Sequence, residues 1–444
     1  MTNSMQFSIY PWDLKSWRSA FGVTGFPGIA LFLILLGAML QVEDLSGGGA
    51  GHSSSAAILL IRTPAILVAF LLLLFRPRVG VIRVTDLRFA YAAFAGLYFI
   101  STLWSHIPVQ TLGKSAELLL AGMVFFEASR GDNSIARIEG LRQITLLTMS
   151  TLGTLAVLGF CLRLPAFVQH RAGFLSGTTA QAPFLSGNGL GYVASALILV
   201  VLAEWQAHRL RAGVAIGQLI FALALFSVSA SRTSFGILLL SILLVVFKRS
   251  KLIGVLAVAA VLIAAAMFST EIVTRLQGQQ NSSSFVTLSG RTVVWTAAVR
   301  QFEQHPLLGV GGGVGGKMVI ANIGNIYLEE MSSLHNGFLE VLTGLGMLGF
   351  MIAIYMLALA TLRAWATWNS HPQFAGTYVL IIHVWMTTIM STGLLGWMGY
   401  EVAIFLSIIT NLDLVMASSR AQLRAAAPVR WSAEALQPHN QTAA

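Results

Sequence analysis

Three polar side chains, His335, Asn336 and Glu340, lie where the stretch MSSLHNGFLEVLTGLGMLGF (331–350) changes from polar to apolar. A neutral imidazole near pH 7 can accept a proton from a hydroxyl, so His335 is a candidate general base. Asn336 is a candidate N-cap for the helix that the apolar run predicts. A histidine at a helix entrance is also often a capping or interfacial residue, and that alternative stays open at this point.

Glu340 lies one turn into the same apolar run, four residues after Asn336 and five after His335. Five residues correspond to about 140° around an ideal helix, so Glu340 is not expected to orient the imidazole. An unpaired carboxylate is costly in an apolar phase, which predicts a partner, for instance an arginine.

Two arginines have a setting that suits phosphate binding. Arg232 lies in VSASRTSFG, a turn between two apolar runs, and Arg291 follows Ser289 and Gly290 at a predicted helix start. A cation there opposes the helix dipole by about 0.3–1 kcal/mol, and a bound anion would reverse that sign. The guanidinium fork matches phosphate oxygens. Headgroup contact or plain surface charge is the alternative for both.

The glycine run GVGGGVGGK (309–317) formally matches two nucleotide-binding patterns. Both patterns require a strand before and a helix after, and the second requires Ser or Thr where Met318 stands. The run is therefore interpreted as a flexible hinge that lets the backbone pass close to another segment.

Positioning these residues is a task for membrane helices, because 56% of the 444 residues are hydrophobic and 10% are charged. The mean hydropathy is +0.77, and soluble domains carry about 25% charged residues. The single cysteine, Cys161, excludes an intramolecular disulfide and a thiolate metal site. No metal and no cofactor are expected.

Apolar runs long enough for helices in lipid predict about twelve spans. They are 22–40, 56–75, 89–104, 115–128, 143–162, 188–204, 213–229, 233–247, 252–268, 336–362, 374–394 and 398–416. The fold class predicted is all-α, with residues 1–416 as a single transmembrane domain.

The positive charges give the orientation. With both termini cytoplasmic, eighteen of the 27 Lys and Arg residues fall on the cytoplasmic side, as the positive-inside rule requires. The net charge of +10 then reflects orientation, and no nucleic-acid partner is expected. Residues 417–444 are predicted to be a disordered cytoplasmic tail.

One outer loop, 269–334, is much longer than the other connections, and long loops are usually functional or disordered. Within it Val294, Trp295, Ala298 and Phe302 recur at helical spacing, with Pro306 after the end. This pattern predicts an amphipathic helix near the membrane surface. A second outer loop, 163–187, carries Arg171.

Three patches resemble the signature of the O-antigen ligase and O-antigen or exopolysaccharide polymerase superfamily. They are SRTSF (231–235), GRTVVWTAAVRQFEQHPLLGVGGG (290–313) and HNGFLEVLTGLGMLG (335–349), and FLSGNGLGYVA (184–194) is similar to a stretch that precedes a central span in these proteins. The resemblance implies a GT-C-like glycosyltransferase of the bacterial inner membrane, with the long loop periplasmic. Its donor would be an undecaprenyl-diphosphate-linked oligosaccharide, used without a metal and with inversion.

The resemblance also implies roles for individual residues. His335 matches the essential histidine of the family, and Arg232 and Arg291 match arginines around the diphosphate. Arg171 matches poorly, because no motif fixes its position. Asn336 and Glu340 are expected to support the site.

Three functions stay open after the motifs are considered. A polymerase would join lipid-linked repeats to a growing glycan, with a chain-length regulator and a flippase among its expected partners, and the GNGLG patch favours this reading. A ligase would transfer the glycan to lipid A core. A polysaccharide or lipid transporter is the third, since Arg62 and His383 lie inside predicted spans.

Overall fold

Long apolar runs favour helices in lipid because each backbone N–H and C=O then finds its partner within its own segment. A computed structural model of the chain has this architecture. It describes residues 84–130, 134–164, 167–169, 179–180, 187–208, 210–229, 231–267, 291–323, 333–371, 374–391, 393–396 and 399–426, with isolated positions between 29 and 75.

Helices dominate these ranges. In chain order the elements are α1 (Asp86–Ile100), α2 (Pro108–Ala128), α3 (Ser134–Cys161), β1 (Val168–Gln169), β2 (Thr179–Ala180), α4 (Gly187–Gln206), α5 (Ala212–Ser229), α6 (Arg232–Arg249), α7 (Lys251–Met267), α8 (Arg291–Gln304), α9 (Gly315–Ile323), α10 (Gly337–Ser370), α11 (Ala375–Met390), α12 (Gly393–Gly396) and α13 (Tyr400–Ala426). A short 3₁₀ turn, Ser101–Leu103, follows α1.

The predicted helical membrane protein is confirmed in its general character. Among the described residues, four helices are long and apolar enough to cross a membrane: Gly140–Cys161 within α3, and α4, α5 and α10. Apolar but shorter stretches are found in α6, α7 and α11. The first two predicted spans lie almost wholly outside the described residues, so the count of twelve stays a prediction.

The departure from an all-α fold is small. β1 and β2 form one antiparallel pair, with Val168 opposite Ala180, in the predicted outer loop 163–187. Near the C-terminal end, α13 continues to Ala426. The prediction of a disordered tail from residue 417 is therefore wrong for residues 417–426. The residues that extend it include Ala, Arg, Gln and Leu, which are strong helix formers.

The predicted tenth span is interrupted. Inside α10, Gly346 has φ +64° and ψ −162°, a conformation that glycine adopts readily and other residues do not. A helix break leaves carbonyls before it and N–H groups after it without partners. In a membrane such groups must be satisfied by other parts of the protein.

The glycine segment, defined here as residues 306–316, supplies partners for the free carbonyls. The N–H groups of Val310 and Gly311 donate to the carbonyls of Thr343 and Gly344 at 3.0 and 2.8 Å. Residues 309–316 are all buried. The close backbone approach predicted for the glycine run is therefore confirmed, but its interpretation as a flexible hinge is wrong, because residues 309–316 are buried and hydrogen-bonded.

The same segment also supplies acceptors for the free N–H groups. Met347 and Leu348 donate to the carbonyls of Pro306 and Leu307 at 2.8 and 3.3 Å. Together these hydrogen bonds join the long loop to α10 at the break. The start of α10 is thereby held in place by backbone contacts.

Buried charges hold the opposite end of the same bundle. Arg88 of α1 donates to Asp413 of α13 at 2.5 Å. Arg363 of α10 lies 3.5 Å from Asp413 and 2.9 Å from Asp86. The main apolar core runs between the two ends, through α1–α6 and α10–α13.

Candidate functional site

Asn336 caps α10, as the sequence predicts. Its side-chain Oδ1 accepts the N–H groups of Phe338 and Leu339 at 3.0 and 3.1 Å. These are two of the donors that have no partner inside the helix, and such a cap contributes about 1 kcal/mol. The cap fixes the first residue of α10 and so holds His335 just outside the helix.

His335 is half-buried and has φ +50°, a left-handed conformation that costs a non-glycine residue roughly 1–2 kcal/mol. Glu340, 4% exposed, fixes the neighbouring backbone: its carboxylate accepts the N–H groups of Leu334 at 2.9 Å and Gly316 at 3.1 Å. Lys114 adds a positive charge nearby. Among the described residues the suggested arginine partner of Glu340 is thus wrong, because backbone donors satisfy it.

The loop helix α8 packs against the segment that carries His335. Trp295 donates its indole N–H to the carbonyl of Leu334 at 2.8 Å. Around this bond lies a small apolar cluster, separate from the main core, made of Val294, Ala298, Val319, Ile320 and Leu334. The helix predicted in the long loop is confirmed, and α9 joins it as a second loop helix in this cluster.

Arg291 is the first described residue of α8. It lies one turn before Trp295, which is about 6 Å along the helix axis, and its side chain is half-buried. Within the described part of the chain no carboxylate forms an ion pair with it. An arginine whose charge is not matched by a carboxylate can bind an anion such as a phosphate group. Its predicted cap, Ser289, lies outside the described residues.

Arg232 is the first residue of α6, after the N-cap Ser231. Ser231 donates to Oδ1 of Asn188 at 3.0 Å, and Ser234 donates to the Asn188 carbonyl at 3.3 Å. Gly191 faces the same serines, where a Cβ would meet the Ser234 hydroxyl at 2.5 Å. The GNGLG and SRTSF patches are therefore one packed unit, in which the starts of α4 and α6 interlock.

Tyr192, which sequence reasoning did not single out, follows the GNGLG patch on α4 and is buried. Its ring stacks on Tyr400, with centroids 6.2 Å apart and planes at 26°. The available signal was a tyrosine placed directly after GNGLG in an otherwise apolar run.

The remaining candidates are less informative. Arg171 lies outside the described residues, and Arg300 is exposed on α8. In the glycine segment the N–H groups of Gly312 and Gly316 donate to Ser101 and Glu340, so these donors are already used and do not form a phosphate cradle. Over the part of the chain that the structure describes, no group of three His, Cys, Asp or Glu side chains could hold a metal.

Comparison with known proteins agrees with the motif patches. No curated protein matches the chain. Residues 217–354 match the family model described as O-antigen ligase, and this range contains Arg232, Arg291 and the segment from His335 to Glu340. This match is consistent with the O-antigen ligase and polymerase superfamily, whose signature the motif patches resemble.

Proposed function

We propose that the protein transfers a glycan from an undecaprenyl-diphosphate-linked donor, with His335 as general base and Arg232 and Arg291 as the clamp for the diphosphate. One observation carries the proposal: the bond from Trp295 to Leu334 ties the helix that begins at Arg291 to the residue before His335. This contact supports the proposal, because it joins the segments that carry His335 and Arg291.

The chemistry requires one bond to form and one to break. An acceptor hydroxyl attacks the anomeric carbon opposite the departing diphosphate, which inverts that centre, and its proton passes to the His335 imidazole. The bond from the anomeric carbon to the phosphate oxygen breaks, and charge accumulates on the diphosphate. Fixed guanidinium groups stabilise that charge, so we propose that no metal is needed.

We propose that Asn336 and Glu340 support the site by fixing the backbone around it. Asn336 fixes the start of α10, and Glu340 holds the backbone on either side of the site through Leu334 and Gly316. We assign Arg171 to the diphosphate as a further contact on the resemblance alone.

The setting we propose is the bacterial inner membrane, crossed about twelve times, with both termini cytoplasmic and residues 269–334 periplasmic. The excess of cytoplasmic Lys and Arg supports this orientation. The starts of α6, α8 and α10 would then face the periplasm, where lipid-linked repeats are available. A flippase and a chain-length regulator are the partners that such a pathway requires.

Polymerisation of exopolysaccharide or O-antigen repeats is the favoured reaction, because GNGLG resembles the polymerase members and is packed against SRTSF. Ligation to lipid A core is the alternative. Purified protein given lipid-linked repeat alone separates them: a ladder of longer products supports polymerisation, and product that appears only with a core acceptor supports ligation.

The site itself is tested by alanine at His335, Arg232 or Arg291. Each variant is expected to lose glycan transfer, by about 10²–10³-fold for a clamp arginine, while its level in the membrane stays normal. Arg300→Ala, on the exposed side of α8, serves as the matched control and keeps activity. Unchanged product length in all three variants would reject the site.

A transporter is the second candidate, on the observation that His383 is fully buried in α11 and neither ring nitrogen has a partner among the described residues. Unpaired ionisable groups within membrane helices often mark transport paths. Loss of function in His383→Leu together with normal function in His335→Ala would favour transport over transfer.

A further inference from the structure

The break at Gly346 divides α10 into two arms, and the chain turns sharply between them. We call residues 337–345 the short arm and residues 347–370 the long arm. In an ideal helix, Cβ atoms four residues apart are separated by about 5–6 Å. A Cβ built on Gly349 would instead overlap the Cβ of Leu345. The two arms therefore do not continue each other along one axis.

Aromatic contacts measure how far the short arm folds back. The rings of Phe338, on the short arm, and Phe350, on the long arm, have centroids 6.0 Å apart. A straight helix would separate these two residues by about 18 Å along its axis.

A tryptophan of α11 extends this measurement. The ring of Trp385 has its centroid 5.7 Å from that of Phe338, and its indole N–H donates to the hydroxyl of Thr361 at 2.8 Å. In a straight helix Phe338 and Thr361 would lie about 35 Å apart along the axis. A single side chain contacts both, so the short arm returns alongside the long arm.

This fold-back determines where His335 lies. The long arm runs from the break to the end of the bundle where Arg363 pairs with Asp413. Because the short arm lies alongside it, the start of the short arm is displaced from the break toward the middle of the bundle. His335 precedes that start by two residues, next to the cap residue Asn336. The imidazole is thus carried by the tip of a folded-back arm.

Trp385 is held in one orientation at the contact between the arms. The Thr361 hydroxyl that accepts its N–H donates in turn to the Leu357 carbonyl at 2.7 Å, so the acceptor is itself fixed. An indole whose N–H is bonded in this way keeps its ring in place, and here the ring packs against Phe338 at an interplanar angle of 39°. The side chain joins α11, the long arm and the short arm at one point.

We propose that Trp385 is a positioning residue for glycan transfer, because it fixes the short arm and, through it, the place of the His335 imidazole. The inference rests on the proposed function, in which His335 is the general base, and deepens it by naming what holds that base. A base must lie within hydrogen-bonding reach of the attacking hydroxyl. A displacement of about 1 Å, caused far from the chemistry, can cost about 10²-fold in rate.

The experiment compares Trp385→Leu with Trp368→Leu in the purified full-length protein, using a lipid-linked repeat as substrate. Trp368 is the matched control, because its ring also joins the long arm to α11, 5.0 Å from the ring of Tyr378, but near the far end of that arm. Trp385→Leu is expected to lower kcat by about 10–100-fold with little change in donor KM. Trp368→Leu is expected to keep kcat, and both are expected to lower the melting temperature to a similar extent. Equal kcat for the two variants would overturn the inference.

A milder variant covers the case in which Trp385→Leu does not fold. Thr361→Val leaves the indole in the chain and removes only the hydroxyl that orients it. It is expected to lower kcat by about 3–10-fold, again without a change in donor KM. An unchanged kcat in Thr361→Val and in any folded Trp385→Leu protein would reject the role of Trp385.

A double variant tests whether Trp385 acts through His335. In a His335→Ala background, with residual transfer followed by radiolabelled donor, Trp385→Leu is expected to add less than about threefold to the loss, because coupled residues are not additive. Its effect on the melting temperature is expected to persist in that background. Fully multiplied losses in kcat would mean that Trp385 acts independently of His335, against the inference.

The outcomes also separate this inference from the proposed function. If His335→Ala keeps full transfer, the proposed base fails and the inference fails with it. If His335→Ala loses transfer while Trp385→Leu matches Trp368→Leu, the base stands and only the role of Trp385 is rejected.

Discussion

The two ends of the helix bundle are held together in different ways. At the end formed by Asp86, Arg88, Arg363 and Asp413, which we call the charged end, arginines and carboxylates pair directly across α1, α10 and α13. At the end that carries the family motifs, which we call the motif end, helices are joined by backbone hydrogen bonds, glycine contacts and serine hydroxyls.

This difference explains how the motif end keeps a positive charge available. Arg88 and Arg363 are neutralised by carboxylates and act as structural ties, whereas Arg291 has no ion pair with any carboxylate in the described part of the chain. The one buried carboxylate beside the His335 segment, Glu340, is occupied by backbone N–H groups. Structure at the motif end is thus supplied by hydrogen bonds to backbone groups and hydroxyls rather than by arginine–carboxylate pairs, and the Arg291 charge remains for a ligand.

The largest expected effect is at the charged end. Asp413→Ala leaves Arg88 and Arg363 without their shared partner, and removing one member of a buried ion pair costs about 3–5 kcal/mol. The apparent melting temperature in detergent is expected to fall well below that of the unmodified protein. Glycan transfer per folded molecule is expected to be retained, because the motif end does not depend on this network.

Asp86→Ala is the matched control. Asp86 also pairs with Arg363, but its side chain is 76% exposed, and such surface pairs contribute about 0–1 kcal/mol. If Asp413→Ala abolished transfer at full stability, the separation of the two ends into a structural and a functional region would be wrong.

Much of the motif end could be predicted where the signal is local. The cap at Asn336, the helix beginning at Arg291 and the buried stripe through Val294 and Ala298 follow from residue types at short spacing. These features depend on neighbours within one or two turns, which is the range over which sequence patterns carry information.

What could not be predicted depends on distant partners. In the sequence Gly346 is an ordinary glycine in an apolar run. The break that it makes in α10 is stable because residues 306–316 supply hydrogen bonds to the groups that the break exposes. For Glu340 the sequence predicts a partner, for instance an arginine, whereas the backbone N–H donors of Leu334 and Gly316 that satisfy it leave no trace in the sequence. Tyr192 stacks on Tyr400 of α13, a residue far away in the sequence.

A second prediction concerns the backbone hydrogen bonds that join the loop to α10 at the motif end. Gly346→Ala places a side chain at φ +64° against the Leu307 backbone, and a non-glycine residue in this conformation costs about 1–3 kcal/mol. Both the melting temperature and glycan transfer are expected to fall, because the backbone hydrogen bonds between the loop and α10 position His335. Gly96→Ala is the control: Gly96 lies in α1 with open space around it, so alanine there is expected to be neutral or slightly stabilising. Equal behaviour of the two variants would mean that the break does not hold the loop.

The smallest expected effect is at the charged end, where a lysine packs on aromatic rings. Lys248, at the end of α6, lies 3.4 Å from the ring centroid of Trp365 on α10 and 4.9 Å from that of Trp368. A cation over aromatic faces at a partly exposed site contributes about 0.5–1 kcal/mol. Lys248→Met is expected to lower the melting temperature slightly and to leave transfer unchanged, while Lys248→Arg keeps both. Lys251→Met, at the exposed start of α7, controls for the loss of a lysine charge. A drop in transfer with Lys248→Met but not with Lys251→Met would show that a change at the Lys248 end of α6 affects Arg232 at its other end. The charged end and the motif end would then be coupled through that helix.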